Sequence, residues 1–252
     1  MVKNAFECKF KAFFVLFLCS MKKLFFILFF ICLCNFSTAQ EDATISYDEG
    51  SKYLEDQFYV GLAYNALLNQ PTEVIQRNLS YNIQLGFIKD IPVNAKRNFG
   101  FGLGIGYATN SYFSNIIAEE TDAAINYRLS LPADTLNRTK LETHAIEFPF
   151  EIRWRTSNEV DYKFWRVYSG VKAAYLFSRS SRFVSENSAV NTSFRNRDII
   201  QWQYGLTLNV GYNTWNISFY YGLNSLLEDT ATLNNEVIDI RPLRIGVIFY
   251  IL

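Results

Sequence analysis

Glu147 and Glu151 stand four residues apart in HAIEFPFEIRWR (144–155). In an extended strand that spacing puts both carboxylates on one face, where a pair can act as general acid and base. The surrounding sequence supplies neither a nucleophile nor a substrate cleft. It supplies countercharges instead: Arg153 on the same segment, Arg166 and Lys172 in FWRVYSGVKAAYLF (164–177), and Arg244 in the closing LRIGVIFYIL (243–252). The expected chemistry is therefore a structural ion-pair network of Glu147, Glu151, Arg153, Arg166, Lys172 and Arg244, with no catalytic residue. His144 is the only histidine and has no cysteine or second histidine to complete a metal site, so it reads as an interfacial surface residue. Gly100, Gly102, Gly104 and Gly106 do not meet the G-x-G-x-x-G spacing and sit in a strand, which argues against nucleotide binding. Asn-x-Ser/Thr triplets begin at Asn78, Asn137, Asn191 and Asn216, two of them inside expected strands, and read as chance matches.

The elements that would hold these charges follow from alternation with a period of two. In FGFGLGIGY (99–107), Phe99, Phe101, Leu103, Ile105 and Tyr107 share one face, and four glycines the other. Eight such segments are expected near 57–67, 78–88, 98–108, 143–155, 164–177, 199–212, 214–224 and 242–252. Their bulky residues face away from a polar or empty side, the reverse of a water-soluble sheet, which points to an antiparallel transmembrane β-barrel. A soluble lipocalin-like barrel uses the same alternation inside out, but it would carry charges on its outer face rather than Gly, Asn, Gln and Ser.

Connection lengths carry a second pattern. Short turns follow the second, fourth and sixth segments (89–98, 156–163 and Asn213-Thr214). Longer polar segments follow the third, fifth and seventh (109–142, 178–198 and 225–237). That layout is expected of an outer-membrane barrel with N- and C-termini and turns in the periplasm and loops outside; the link at 68–76 is ambiguous. Ile125, Tyr127, Leu129 and Leu131 keep alternating within the first long loop and read as an extension of the hairpin above the membrane, ten strands being the alternative count. Trp154, Trp165, Trp215, Tyr107, Tyr175, Tyr212 and Tyr221 fall near strand ends, where an apolar ring with a polar handle suits the headgroup level. Eight strands leave a lumen that side chains fill, so Glu147 against Lys172, and Glu151 near Arg166, would plug it.

The N-terminal region reads as an export signal. Lys22 and Lys23 precede the apolar LFFILFFICLC (24–34), and Ser37, Thr38 and Ala39 suit a signal peptidase, giving a leader over 21–39 and a mature chain from Gln40. Residues 1–20 read as an upstream extension, with Met21 the expected start, and 40–56 as a flexible periplasmic lead-in to a barrel over 57–252. All four cysteines (Cys8, Cys19, Cys32, Cys34) lie ahead of Gln40, which excludes a disulfide framework from the mature chain. With 24 basic and 24 acidic residues there is no electrostatic case for nucleic acid.

GFIKDIPVNAKRNFGFGLGIGYA (86–108), HAIEFPFEIRWR, FWRVYSGVKAAYLF and LRIGVIFYIL together resemble the PorT-like outer-membrane β-barrel family of the Bacteroidota. Ile146, Phe148, Pro149, Phe150 and Arg153 carry the resemblance most closely, and it spans about 58–252. It implies outer-membrane lipid as surroundings, no cofactor and no catalytic residue. It also implies a part in type IX protein secretion or envelope assembly beside other envelope proteins. A small structural or adhesin-like barrel, or a narrow porin, is the alternative function class.

Overall fold

Strictly alternating burial is the first property of the strands. In β1 (Gln57–Leu68) the odd-numbered residues from Gln57 to Leu67 are buried, while Phe58, Val60, Leu62 and Tyr64 are exposed. The computed structural model describes residues 57–94, 98–121, 124–130, 136–156, 164–185 and 191–251. The expected leader and lead-in, and Leu131, lie outside them. The remaining elements are β2 (Tyr81–Pro92), β3 (Phe99–Phe113), β4 (Ile116–Glu120), β5 (Ile125–Leu129), β6 (Leu136–Arg155), β7 (Trp165–Ser185), β8 (Asn191–Arg195), β9 (Trp202–Tyr212), β10 (Trp215–Gly222), β11 (Thr232–Leu233), β12 (Glu236–Val237) and β13 (Arg241–Ile251).

Eight of these close on themselves in the order β1-β2-β3-β6-β7-β9-β10-β13 and back to β1, every pairing antiparallel. Closure leaves no strand edge along the wall, so the strands satisfy one another's backbone groups without water. The one gap in the β3–β6 ladder, between Leu103↔Phe150 and Gly106↔Glu147, coincides with Pro149, which has no N–H to give. From Trp165 to Tyr175 on β7 is about 33 Å of strand at ~3.3 Å per residue, and a tilt of ~40° reduces it to the ~25 Å height of an outer-membrane apolar band. Aromatic pairs mark both limits of this band: Trp165–Tyr212 (5.3 Å) and Trp215–Phe249 (5.3 Å) at the turn end, Tyr175–Trp202 (5.1 Å) and Tyr107–His144 (6.1 Å) at the loop end.

Asn213-Thr214 is a two-residue turn between β9 and β10. Asn213 has φ 56°, and asparagine tolerates this left-handed conformation better than any β-branched residue. Asn213→Val is expected to destabilise the barrel by about 1–2 kcal/mol and Asn213→Gly by much less, read as the temperature at which the compact gel band converts to the unfolded one. Asn234 and Asn235, both at positive φ, make the two-residue turn between β11 and β12.

The link at 69–80 joins the top of β1 to β2 and so lies at the same end as the long loops. These loops are far from uniformly polar. Val74, Ile116, Tyr127, Ile199, Leu226, Leu227, Leu233 and Ile238 bury together with Leu67, Tyr112, Leu141 and Leu176 from the upper strands, forming an apolar cap over that mouth. The expected extension through Ile125, Tyr127 and Leu129 takes a different form: β4 and β5 make a separate hairpin outside the barrel sheet, and Tyr127 points into the cap. Its phenol donates to Asn196 Oδ1 (3.2 Å), and Asn196 in turn donates to Ser181 Oγ (2.8 Å). Burial raises the Tyr127 pKa above the usual phenol range against that hydrogen bond. The extension above the apolar band is made instead by β6, β7 and β8. Here β8, in the segment expected as a long loop (178–198), pairs with β7 alone, and the strand expected near 199–212 starts only at Trp202, with residues 196–201 diverted between the two.

Candidate functional site

Inward positions of the barrel wall carry the charges. Glu147, fully buried on β6, is the centre of one group: Oε2 accepts from Lys172 Nζ at 2.8 Å and Oε1 from Arg244 Nη1 at 3.0 Å. β6 and β7 set Lys172 opposite Pro149 and Ala174 opposite Glu147, so Lys172 reaches its partner diagonally. Lys172 also donates to Gln84 Oε1 (2.7 Å) across the lumen, and the Arg244 guanidinium lies 4.1 Å from the centre of the Tyr220 ring. Each charge thus has a polar or π partner, the condition for burying it at tolerable cost.

A second group sits closer to the turn end. Glu151 accepts from Arg153 Nε (3.1 Å) and Asn209 Nδ2 (3.2 Å). Asp90 receives Arg153 Nη1 at 3.4 Å and Arg155 Nη2 at 2.7 Å. The Arg153 guanidinium is stacked over Tyr168 (4.3 Å) and near Tyr250 (5.5 Å), so one side chain bridges two carboxylates and an aromatic wall. Together three carboxylates, Asp90, Glu147 and Glu151, face four cations, Arg153, Arg155, Lys172 and Arg244.

Two expectations need correction. Glu151 does not meet Arg166: its partners are Arg153 and Asn209. Arg166 belongs to neither group; it donates to the carbonyl of Asn213 (2.8 Å) and lies over the Phe164 ring (4.3 Å), tying down the β9–β10 turn. Asp90 and Arg155, absent from the expected set, complete the second group. Asp90 lies on β2, which runs to Pro92 rather than ending near 88, and the alternation Gln84, Gly86, Ile88, Asp90 was the available signal. His144 lies at the aromatic belt, with Tyr107 Oη 2.7 Å from Nδ1. Among the described residues no group of three metal-ligating side chains occurs.

Glycines make room for this filling. Tyr59, Gly86, Gly106 and Glu147 are successive partners across β1, β2, β3 and β6, and the Tyr59 ring lies across both glycines. Gly102 likewise lies under Arg153, and Gly205 under Tyr220. The interior cavity bordered by Tyr59, Gln84, Glu151, Lys172, Tyr220 and Arg244 has a volume of about 10 Å³, roughly the room of one water. This arrangement can hold charge rigidly and fills the space between the strands.

No curated protein matches the chain. Among solved structures it is similar to Ail, the attachment invasion locus protein of Yersinia pestis, at 12% identity and TM-score 0.36, covering 77% of this chain and 96% of that one. A second, described as "Asymmetric conductivity of engineered proteins", has 9% identity and TM-score 0.21, covering 79% of this chain and 100% of that one. The family model described as "Outer membrane protein beta-barrel domain" matches residues 38–228, well over half of the sequence, and the chain therefore belongs to the outer membrane protein β-barrel domain family.

Proposed function

We propose that this barrel is non-enzymatic and non-conducting and acts through contacts at its two ends, as a PorT-like component of type IX protein secretion or envelope assembly. The filled lumen carries the reading: the buried charges, the tyrosines across the glycines and the apolar cap leave the wall and the ends as the surfaces free to work. Other secretion-system envelope proteins would be its partners, and no cofactor enters. Deletion of the gene followed by proteomics of the secreted fraction tests it. Loss of a set of surface or secreted proteins is expected, and an unchanged secreted set would overturn the secretion role.

Orientation belongs to the same proposal, with turns and termini periplasmic and the loops and cap outside. A tag inserted between Asn234 and Asn235 should be reached by antibody on intact cells; labelling only after lysis would reverse the assignment. The leader is removed on this reading, so N-terminal sequencing of the outer-membrane fraction should begin at Gln40. The three-stranded β6–β7–β8 extension, with β8 paired on one side only, supports an adhesin-like surface role as the second reading.

A further inference from the structure

The wall between β6, β7 and β9 departs from a continuous ladder near Phe177. Ala145 pairs with Leu176 and His144 with Ser178, so Phe177 is an extra residue, a bulge on β7. On the other side of β7, pairing with β9 ends at Tyr175↔Trp202, and pairing with β8 begins at Ser180↔Arg195. Between them the chain turns away and buries Ile199 in the cap. The result is an open notch of about 430 Å³ lined by Phe177, Ser178, Arg179, Ser180, Ser193 and Arg195, among others.

The chemistry of the notch is cationic and hydroxyl-rich above an aromatic floor. Arg195 is exposed and has no ion-pair partner among the described residues. Arg179 gives one N–H to the Ile199 carbonyl. Its guanidinium, above the aromatic belt, is held below the usual arginine range first by burial and then by the like charge of Arg195, with Glu228 opposing. Nearby, Arg182 lies across from Ser193 and from Lys140, while Glu142 is engaged with Lys140 at 2.9 Å. Phe177 packs with Tyr107 (6.3 Å) and His144 (6.2 Å), which sets the floor at the headgroup level. The exposed Arg195, with the like charge of Arg179 near it, gains most from an anion with several acceptor oxygens, and the serine hydroxyls add donors to it.

We propose that this notch binds a phosphate group of an outer-leaflet glycolipid, with Arg179 and Arg195 on the phosphate and the acyl chains against Phe177 and the belt. The proposal rests on the loop end facing outward, as above. The test is native mass spectrometry of the membrane-extracted chain in detergent, titrated with bis-phosphorylated lipid A, with dephosphorylated lipid A and with inorganic phosphate. One retained lipid A per barrel is expected. Arg195→Gln should weaken retention about tenfold, the loss of one charge-assisted contact, while Arg77→Gln, an exposed arginine in the 69–80 loop, leaves it unchanged. Equal retention by Arg195→Gln and the parent, with both showing the compact gel band, would overturn the proposal, as would equal retention of dephosphorylated lipid A. Inorganic phosphate binding as tightly as lipid A would overturn the lipid as the source of the phosphate. Because binding in detergent does not depend on orientation, a reversed tag result at Asn234–Asn235 would be a separate failure.

Discussion

Glu147→Gln is expected to cost about 3–5 kcal/mol of folding stability, because it leaves Lys172 and Arg244 buried without their common countercharge. Lys172→Met should cost less, since Arg244 still neutralises Glu147. The double change Glu147→Gln with Lys172→Met should recover part of the loss, but not all, because Arg244 remains unpaired. The measurement is the temperature at which the compact gel band converts to the unfolded one, for the parent, both single variants and the double. Simple addition of the two losses would mean that Glu147 and Lys172 do not interact and that the β6–β7 register is wrong.

Gly106→Ala is expected to be strongly damaging for a change that introduces only one carbon. A Cβ there would lie 2.1 Å from Tyr59 Oη and 2.8 Å from the Leu85 carbonyl oxygen. Relieving this moves a packed ring or the β2 backbone, which should cost about 3 kcal/mol. The closest contact is the hydroxyl, and that hydroxyl has no hydrogen-bond partner among the described residues. Adding Tyr59→Phe should therefore restore part of the stability, while Tyr59→Phe alone changes little. If the double variant is no better than Gly106→Ala, the ring does not cross Gly106 as described.

Period-two alternation made the barrel legible, because lipid on one side and a filled lumen on the other select opposite residue types along each strand. Alternation also gave the face of Glu147, Lys172 and Arg244. It failed where a large apolar residue points inward: Ile88 interrupts the polar face of β2, so the strand read as ending there and Asp90 fell in a turn. Spacing along a strand fixes a face but not the rotation of long side chains. That is why Glu151 reaches Arg153 on its own strand and Arg166 turns away to the Asn213 carbonyl. The cap was the least legible part. Val74, Tyr127, Ile199 and Ile238 are scattered through polar loops with no shared period, and only the closed ring of strands brings them together.

The proposed function depends on a filled lumen. Single-channel recording of the membrane-extracted barrel in a planar lipid bilayer tests it most directly. No steady conductance is expected, since the Tyr59, Arg153 and Tyr168 side chains and the Glu147 group occupy the interior and leave room for about one water. A stable, ohmic open channel from the folded band would contradict the account.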